Sequence, residues 1–196
     1  MQKTLKYYEK NFNTLVQHYE QAKLKNIHTL LLKYTKKEDK ILELGFGSGR
    51  ELSFLQSQGY KNLYGIDGSL KFVEFVQKRF NNNKNFIHSI LPKITLEGEF
   101  NCIYSIAVLM HLAPSSYKQL IDNINKKLTN NATLLFSFSL EKRKEQEREF
   151  YEVDEKLLKA LLQEKGIILE EELITNDSLK RNLHWKTLIF RKQNEY

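Results

Sequence analysis

With a single cysteine, Cys102, the 196-residue chain has no internal disulfide, which fits a reducing compartment. Two prolines argue against a long disordered linker. No uninterrupted apolar stretch approaches the roughly 20 residues of a membrane-spanning helix. The start, Met1 to Tyr8, holds no apolar signal core. The expectation is a cytoplasmic protein with no membrane contact. His18, His28, His88 and His184 lack a metal-ligand spacing such as His-Glu-x-x-His, so no metal is expected. Residues are 41% hydrophobic and 12% aromatic, enough for one core. No Pro- or Gly-rich linker and no internal repeat divides the chain, which reads as a single domain, 1–196. The net charge is +7. Either it serves a polyanionic partner, or it reflects an AT-rich coding sequence, since the lysines are scattered.

What is present centres on Lys40-Ile-Leu-Glu-Leu-Gly-Phe-Gly-Ser-Gly-Arg50. Ile41 to Leu44 has the size of a buried strand. Gly45, Gly47 and Gly49 make a turn that permits positive φ and close approach to a ligand. Leu52, Phe54 and Leu55 then follow a helical pattern, and a helix N-terminus offers free N–H groups. No Lys-Ser/Thr follows the glycines, which excludes a phosphate-binding P-loop. Glu43, inside the strand, would repel a pyrophosphate and suits a cationic or hydroxyl-bearing ligand. Asp67 ends the next apolar run, 22 residues beyond Gly45. That distance fits one helix and one strand, and an acid there can hold a ribose diol.

Glu43-Leu-Gly-Phe-Gly-Ser-Gly49, followed by Tyr64-Gly-Ile-Asp-Gly-Ser69, resembles the class I S-adenosylmethionine-dependent methyltransferases. The resemblance implies a Rossmann-like, doubly wound α/β fold. Its seven-stranded sheet is mostly parallel, with helices on both faces and an antiparallel last strand. It implies S-adenosyl-L-methionine as methyl donor and S-adenosyl-L-homocysteine as product. Glu43, Gly45, Phe46, Gly47, Gly49 and Arg50 then meet the methionine end, and Asp67 and Gly68 meet the ribose. Ser89 and Ile90 become adenine contacts, and Ile106 lies at the end of the fourth strand. Two departures stand out. Phe46 occupies a position where Cys or Ala is common, and Ser89 one where many relatives carry Asp.

The rest follows in order. Residues 5–34 read as one or two helices, with Tyr8, Phe12, Leu15, Val16 and Tyr19 on one apolar face. Tyr7, Tyr8 and Tyr19 either pack on the sheet or close over the cofactor, as an N-terminal helix often does in this family. Residues 40–138 form the cofactor-binding core. Ser69 caps the helix carrying Leu70, Val73, Phe75, Val76 and Phe80, and Phe86 to His88 is a third strand. Phe100 to Met110 holds the fourth strand and its exit turn. A helix capped near Ser115 or Ser116 follows, Thr129 to Ala132 breaks the chain, and Thr133 to Phe138 is the fifth strand. Residues 139–196 supply a charged segment, a helix ended by Gly166, and strands at Ile167 to Thr175 and His184 to Phe190.

Methyl transfer from a sulfonium needs positioning more than acid–base groups, and no catalytic triad is present. His111, just past the fourth strand, is the candidate base; the alternative is that it orients the loop. Arg143, Arg148 and Arg181, with Asp177, come from segments around the ligand edge of the sheet. They either clamp a carboxylate or phosphate or are surface charge. Asp177-Ser-Leu-Lys-Arg181 with His184-Trp185 also resembles small bacterial methyltransferases of unassigned substrate. Tyr7, Tyr19, His111, Arg143, Arg148 and Arg181 are therefore the candidate acceptor contacts. No Asp/Asn-Pro-Pro-Tyr/Phe follows the fourth strand, and Cys102 is not preceded by proline, which argues against the usual DNA-base methylation routes. The reading favours a small-molecule acceptor, methylated at O or N, and a monomer or homodimer. RNA is the rival acceptor, and a cofactor-binding partner subunit or regulator is the non-enzymatic alternative.

Overall fold

A computed structural model describes residues 2–194 except Lys144. Three helices open the chain: α1 (Gln2–Lys10), α2 (Phe12–Gln21) and α3 (Lys25–Tyr34). The sequence pattern suggested one or two. The apolar periodicity runs through the break at Asn11, whose backbone leaves helical geometry at ψ 17, so a continuous stripe concealed a corner.

Strands and helices then alternate: β1 (Ile41–Leu44), α4 (Arg50–Ser57), β2 (Leu63–Asp67), α5 (Leu70–Arg79), β3 (Phe86–His88), β4 (Phe100–Ile106), α6 (Tyr117–Asn125), β5 (Leu128–Ser139), α7 (Glu155–Gln163), β6 (Ile167–Asn176) and β7 (His184–Lys192). They form one seven-stranded sheet in the order β3-β2-β1-β4-β5-β7-β6. β1 to β5 pair in parallel, and β7 runs antiparallel to both neighbours. The expected fold class is borne out. Among the described residues, no helix is long and apolar enough to cross a membrane.

β1 is buried along its whole length, as a central parallel strand covered on both faces must be. Its side chains alternate between two cores. Leu42 and Leu44 join the layer containing α6 and α7, and Ile41 joins the layer of α3, α4 and α5. Glu43 shares the face of Ile41. Truncating a residue such as Leu42 to alanine costs about 2–5 kcal/mol.

Two local expectations are corrected. Thr129 to Ala132 does not end the structure. β5 already begins at Leu128 and absorbs these residues as an irregularity against β4, with Asn131 at φ 59. Asn tolerates that left-handed geometry better than most residues. Neither Ser115 nor Ser116 caps α6 through its side chain: a 3-10 turn over Pro114–Ser116 leads into it, and the Ser116 hydroxyl donates to the Ala113 carbonyl. Ser69 does cap α5, accepting from the Phe72 amide.

Candidate active site

The carboxyl ends of β1, β2, β3, β4 and β5 converge on one edge of the sheet, where open α/β sheets bind ligands. A cavity opens there beneath α1 and α2. The turn after β1 forms its floor. Gly45 (φ +76) and Gly47 (φ +51) adopt left-handed geometry. A Cβ on Gly45 would lie 2.5 Å from Val108 Cγ2, and one on Gly47 would lie 3.1 Å from the Tyr19 ring. The backbone is therefore laid bare to the cavity for steric as well as conformational reasons.

Three buried carboxylates surround this floor. Glu43 accepts a 2.9 Å hydrogen bond from the Tyr104 hydroxyl, its register partner on β4. Burial, with the negative charge of Glu51 beside it, holds the Glu43 carboxyl well above the usual range. Burial also acts to raise Glu51, but His28 and Arg50 outweigh it and hold this carboxyl low. Asp67 takes the Gly47 amide on Oδ2 and the Ser69 amide on Oδ1, each at 2.8 Å. Burial raises its pKa to about 6, against the pull of those two amides. Arg50 binds Glu51 through Nε and the carbonyls of Tyr19 and Ala22 through Nη1. It thereby ties α2 to the glycine turn.

Several hydrogen bonds fasten the roof. The Glu149 amide donates to Thr4 Oγ1. The Ser69 hydroxyl donates to Glu9 Oε1. Tyr8 and His111 meet at 2.8 Å. His111 Nδ1 lies 2.8 Å from the Glu149 carbonyl. A carbonyl can only accept, so the proton is on Nδ1, and Nε2 accepts from the Tyr8 hydroxyl. Burial, with the nearby charges of Arg148 and Arg143, lowers the His111 pKa to about 3. Its packing raises Tyr8 to about 12.

At the far end, Arg148 holds Glu145 through Nε and Nη2 at 2.6 and 2.8 Å, its guanidinium stacked over Tyr7 and Phe150. Arg181 holds Asp177 by the same two nitrogens at 2.9 and 2.7 Å, and Asp177 also accepts from Trp185 Nε1. Burial acts to raise Asp177, but these donors leave it well below the ordinary carboxylate range.

Most of the expected residues border this one cavity: Glu43, Gly45, Phe46, Gly47 and Arg50; Asp67, Gly68, Ser89, Ile90 and Ile106; and Tyr19, His111, Arg143, Arg148 and Arg181. Two do not line it. Gly49 sits at the start of α4, where a Cβ would press on Val76 of α5 at 2.9 Å, so it serves helix packing. Tyr7 stands behind Arg148, and its neighbour Tyr8 lines the cavity instead. The Ser89 hydroxyl donates to the Lys93 carbonyl and accepts from the Thr95 amide. Sequence reasoning missed Glu51, Phe150 and Trp185 as lining residues. Glu51 had a signal, since it is an acid in the first turn of the helix that leaves the glycine turn. Among the described residues, no cluster of three or more His, Cys, Asp or Glu could hold a metal ion.

Residues 16–188 match the family described as a methyltransferase domain. The chain belongs to that family, and the resemblance drawn from its glycine turn is borne out. No curated protein matches the sequence. Solved structures share the fold. A protein titled a SAM-dependent methyltransferase from Methanosarcina mazei is 18% identical, with TM-score 0.69, covering 85% of this chain and 98% of its own. The magnesium protoporphyrin IX methyltransferase of Synechocystis PCC 6803, with bound SAM, is 19% identical, with TM-score 0.69, covering 86% and 77%. The [4+2]-cyclase SpnF is 10% identical, with TM-score 0.66, covering 87% and 82%. A fold shared with a cyclase leaves the chemistry to be argued from the site.

Proposed function

We propose that this enzyme transfers a methyl group from S-adenosyl-L-methionine to O or N of a small molecule. The observation that carries the proposal is the bare glycine turn ringed by Glu43, Glu51 and Asp67 inside a roofed cavity. The donor is cationic at sulfur and at its ammonium group, and it carries a ribose diol. Buried carboxylates suit all three features and would repel a phosphate. In this reading Glu43 and Glu51 face the methionine ammonium, Arg50 faces its carboxylate, and Asp67 accepts from the ribose hydroxyls. Ser89 and Ile90 border the adenine. When bound, the donor supplies a methyl group already activated by positive sulfur. The S–CH₃ bond breaks as the acceptor's lone pair forms the new bond, and the sulfur keeps its electron pair in S-adenosylhomocysteine.

The chain's own contribution is positioning and exclusion of water. Tyr8 and Tyr19 cover the cavity, and the Tyr8–His111 bond fixes the roof against the loop beyond β4. His111 acts here as a positioning residue. Its accepting nitrogen is occupied, and a pKa near 3 makes it a weak base. An amine acceptor with a free lone pair needs no base during attack and gives up its proton to solvent afterwards, whereas an oxygen acceptor must enter already ionised.

The small-molecule reading is supported by the roof over the cavity that Arg143, Arg148 and Arg181 line. RNA would need an open basic stripe leading to the donor. Calorimetry with S-adenosylhomocysteine tests the donor assignment, with a micromolar-range Kd expected. A methyl-transfer screen using labelled donor against a metabolite extract and total RNA tests the acceptor class. Label entering only RNA would overturn the small-molecule reading, and no donor binding would overturn the whole.

A further inference from the structure

We infer that the acceptor carries a carboxylate, seated on the Nε/Nη2 edge of Arg143, and an apolar body lying between Phe150 and Trp185. The inference rests on the methyl-transfer reading of this site and adds the acceptor's chemical class.

Three guanidiniums border the acceptor end of the cavity. Two are used identically. Arg148 presents Nε and Nη2 to Glu145, and Arg181 presents Nε and Nη2 to Asp177. In Arg143 the same two nitrogens are buried without a hydrogen-bond partner among the described residues. Leaving charged donors desolvated and unpaired is unfavourable, so the edge is a socket for an anion. Its shape matches the two oxygens of a carboxylate, as the neighbouring pairs demonstrate.

The surroundings narrow the ligand. Arg143 stacks on the Phe150 ring at 5.2 Å, and Trp185 also lines the cavity. Polar and apolar walls thus meet at the socket. Glu145 and Asp177 already pair with two of the three arginines, His111 is neutral, and the charge of Glu141 also acts on Arg143. So little unbalanced positive charge suits a monocarboxylate better than a phosphate dianion. Glu141 is the internal competitor. Its Oε2 is likewise buried and unpartnered among the described residues, but its Oε1 is taken by the amide and Nδ1 of His184 at 2.6 and 2.8 Å. A carboxylate paired with a guanidinium is a weakened nucleophile, so it serves as handle and the methyl goes to another atom of the acceptor.

The test is isothermal titration of the full chain loaded with S-adenosylhomocysteine, using phenylacetate, phenylacetamide and phenyl phosphate as probes. Phenylacetate is expected to bind at least about tenfold tighter than the other two, the scale of one charge-assisted hydrogen bond. Arg143→Ala removes that preference, and Arg143→Lys, keeping the charge without the fork, retains at most about a tenth of the affinity. Both variants keep wild-type affinity for S-adenosylhomocysteine, which reports correct folding. Equal binding of acid and amide, tighter binding of phenyl phosphate, or undiminished phenylacetate binding by Arg143→Ala overturns the inference while the donor assignment stands. If only Glu141→Gln binds phenylacetate, Glu141 is the natural occupant of the edge and the inference falls. Failure of the wild type to bind S-adenosylhomocysteine brings down the donor assignment and this inference with it.

Discussion

The Tyr8 hydroxyl donates a hydrogen bond to Nε2 of His111 over 2.8 Å, joining the first helix to the loop beyond the central strand. The imidazole is held at both nitrogens, by Tyr8 and by the Glu149 carbonyl. His111→Ala therefore leaves two partners unsatisfied, at about 1–3 kcal/mol each when buried. A thermal melt should show the loss, and turnover should fall more than donor affinity. The pH profile discriminates between roles. With its folded pKa near 3, below the ordinary 6.5, His111 contributes stability that is present above pH 6.5 and lost as pH falls towards 3. Turnover should show no limb between pH 6 and 7 that disappears in His111→Asn; such a limb would restore the general-base role.

Asp67 carries the opposite sign. Its folded pKa of about 6 lies above the ordinary 3.8, so its contribution to stability is complete below pH 3.8 and lost as pH rises through 6. Donor binding favours the ionised form. The affinity for S-adenosylhomocysteine should therefore weaken as pH drops below 6, by calorimetry at stepped pH. Asp67→Ala should weaken it about 10–100-fold, through lost charge-assisted hydrogen bonds and a loosened Gly47 amide. Unchanged affinity would show the ribose assignment to be wrong.

Gly45→Ala combines an unfavourable φ with a 2.5 Å approach to Val108. Overpacking of this kind costs about 1–3 kcal/mol. A lowered melting temperature with reduced donor affinity is expected. Adding Val108→Ala should recover part of the stability but not the backbone strain, and full recovery would mean that φ at this turn is unimportant.

Asp177→Ala releases both Arg181 and Trp185. It should impair acceptor binding while leaving S-adenosylhomocysteine affinity within about twofold, because the donor end is built by other strands. A parallel loss of donor affinity would show that the two ends of the cavity are coupled.

The donor end was legible because its chemistry is local. Glu43, the glycines and Asp67 belong to one βαβ unit, whose spacing sets where each side chain falls. The acceptor end is assembled from distant segments. Arg143, Arg148 and Arg181 were recognisable as residue types, but not that two are already paired and one is not. Tyr7 stood for Tyr8 among the acceptor contacts because neighbouring helical positions differ by about 100°, and only Tyr8 lines the cavity. Glu51 and Trp185 were not read as lining residues, since an acid in the first helical turn and an aromatic in a strand usually have ordinary structural reasons.

The roof has a consequence for how the chain comes together. Its fastenings span 145 residues from Thr4 to Glu149, 103 from Tyr8 to His111 and 60 from Glu9 to Ser69. α1 is thus among the last of these elements to dock, since contacts so distant in sequence carry the greatest loop-closure cost. A nascent chain truncated before Glu149 lacks the Thr4 clasp of the roof. Competence to enclose a ligand therefore waits until Glu149 has joined the chain.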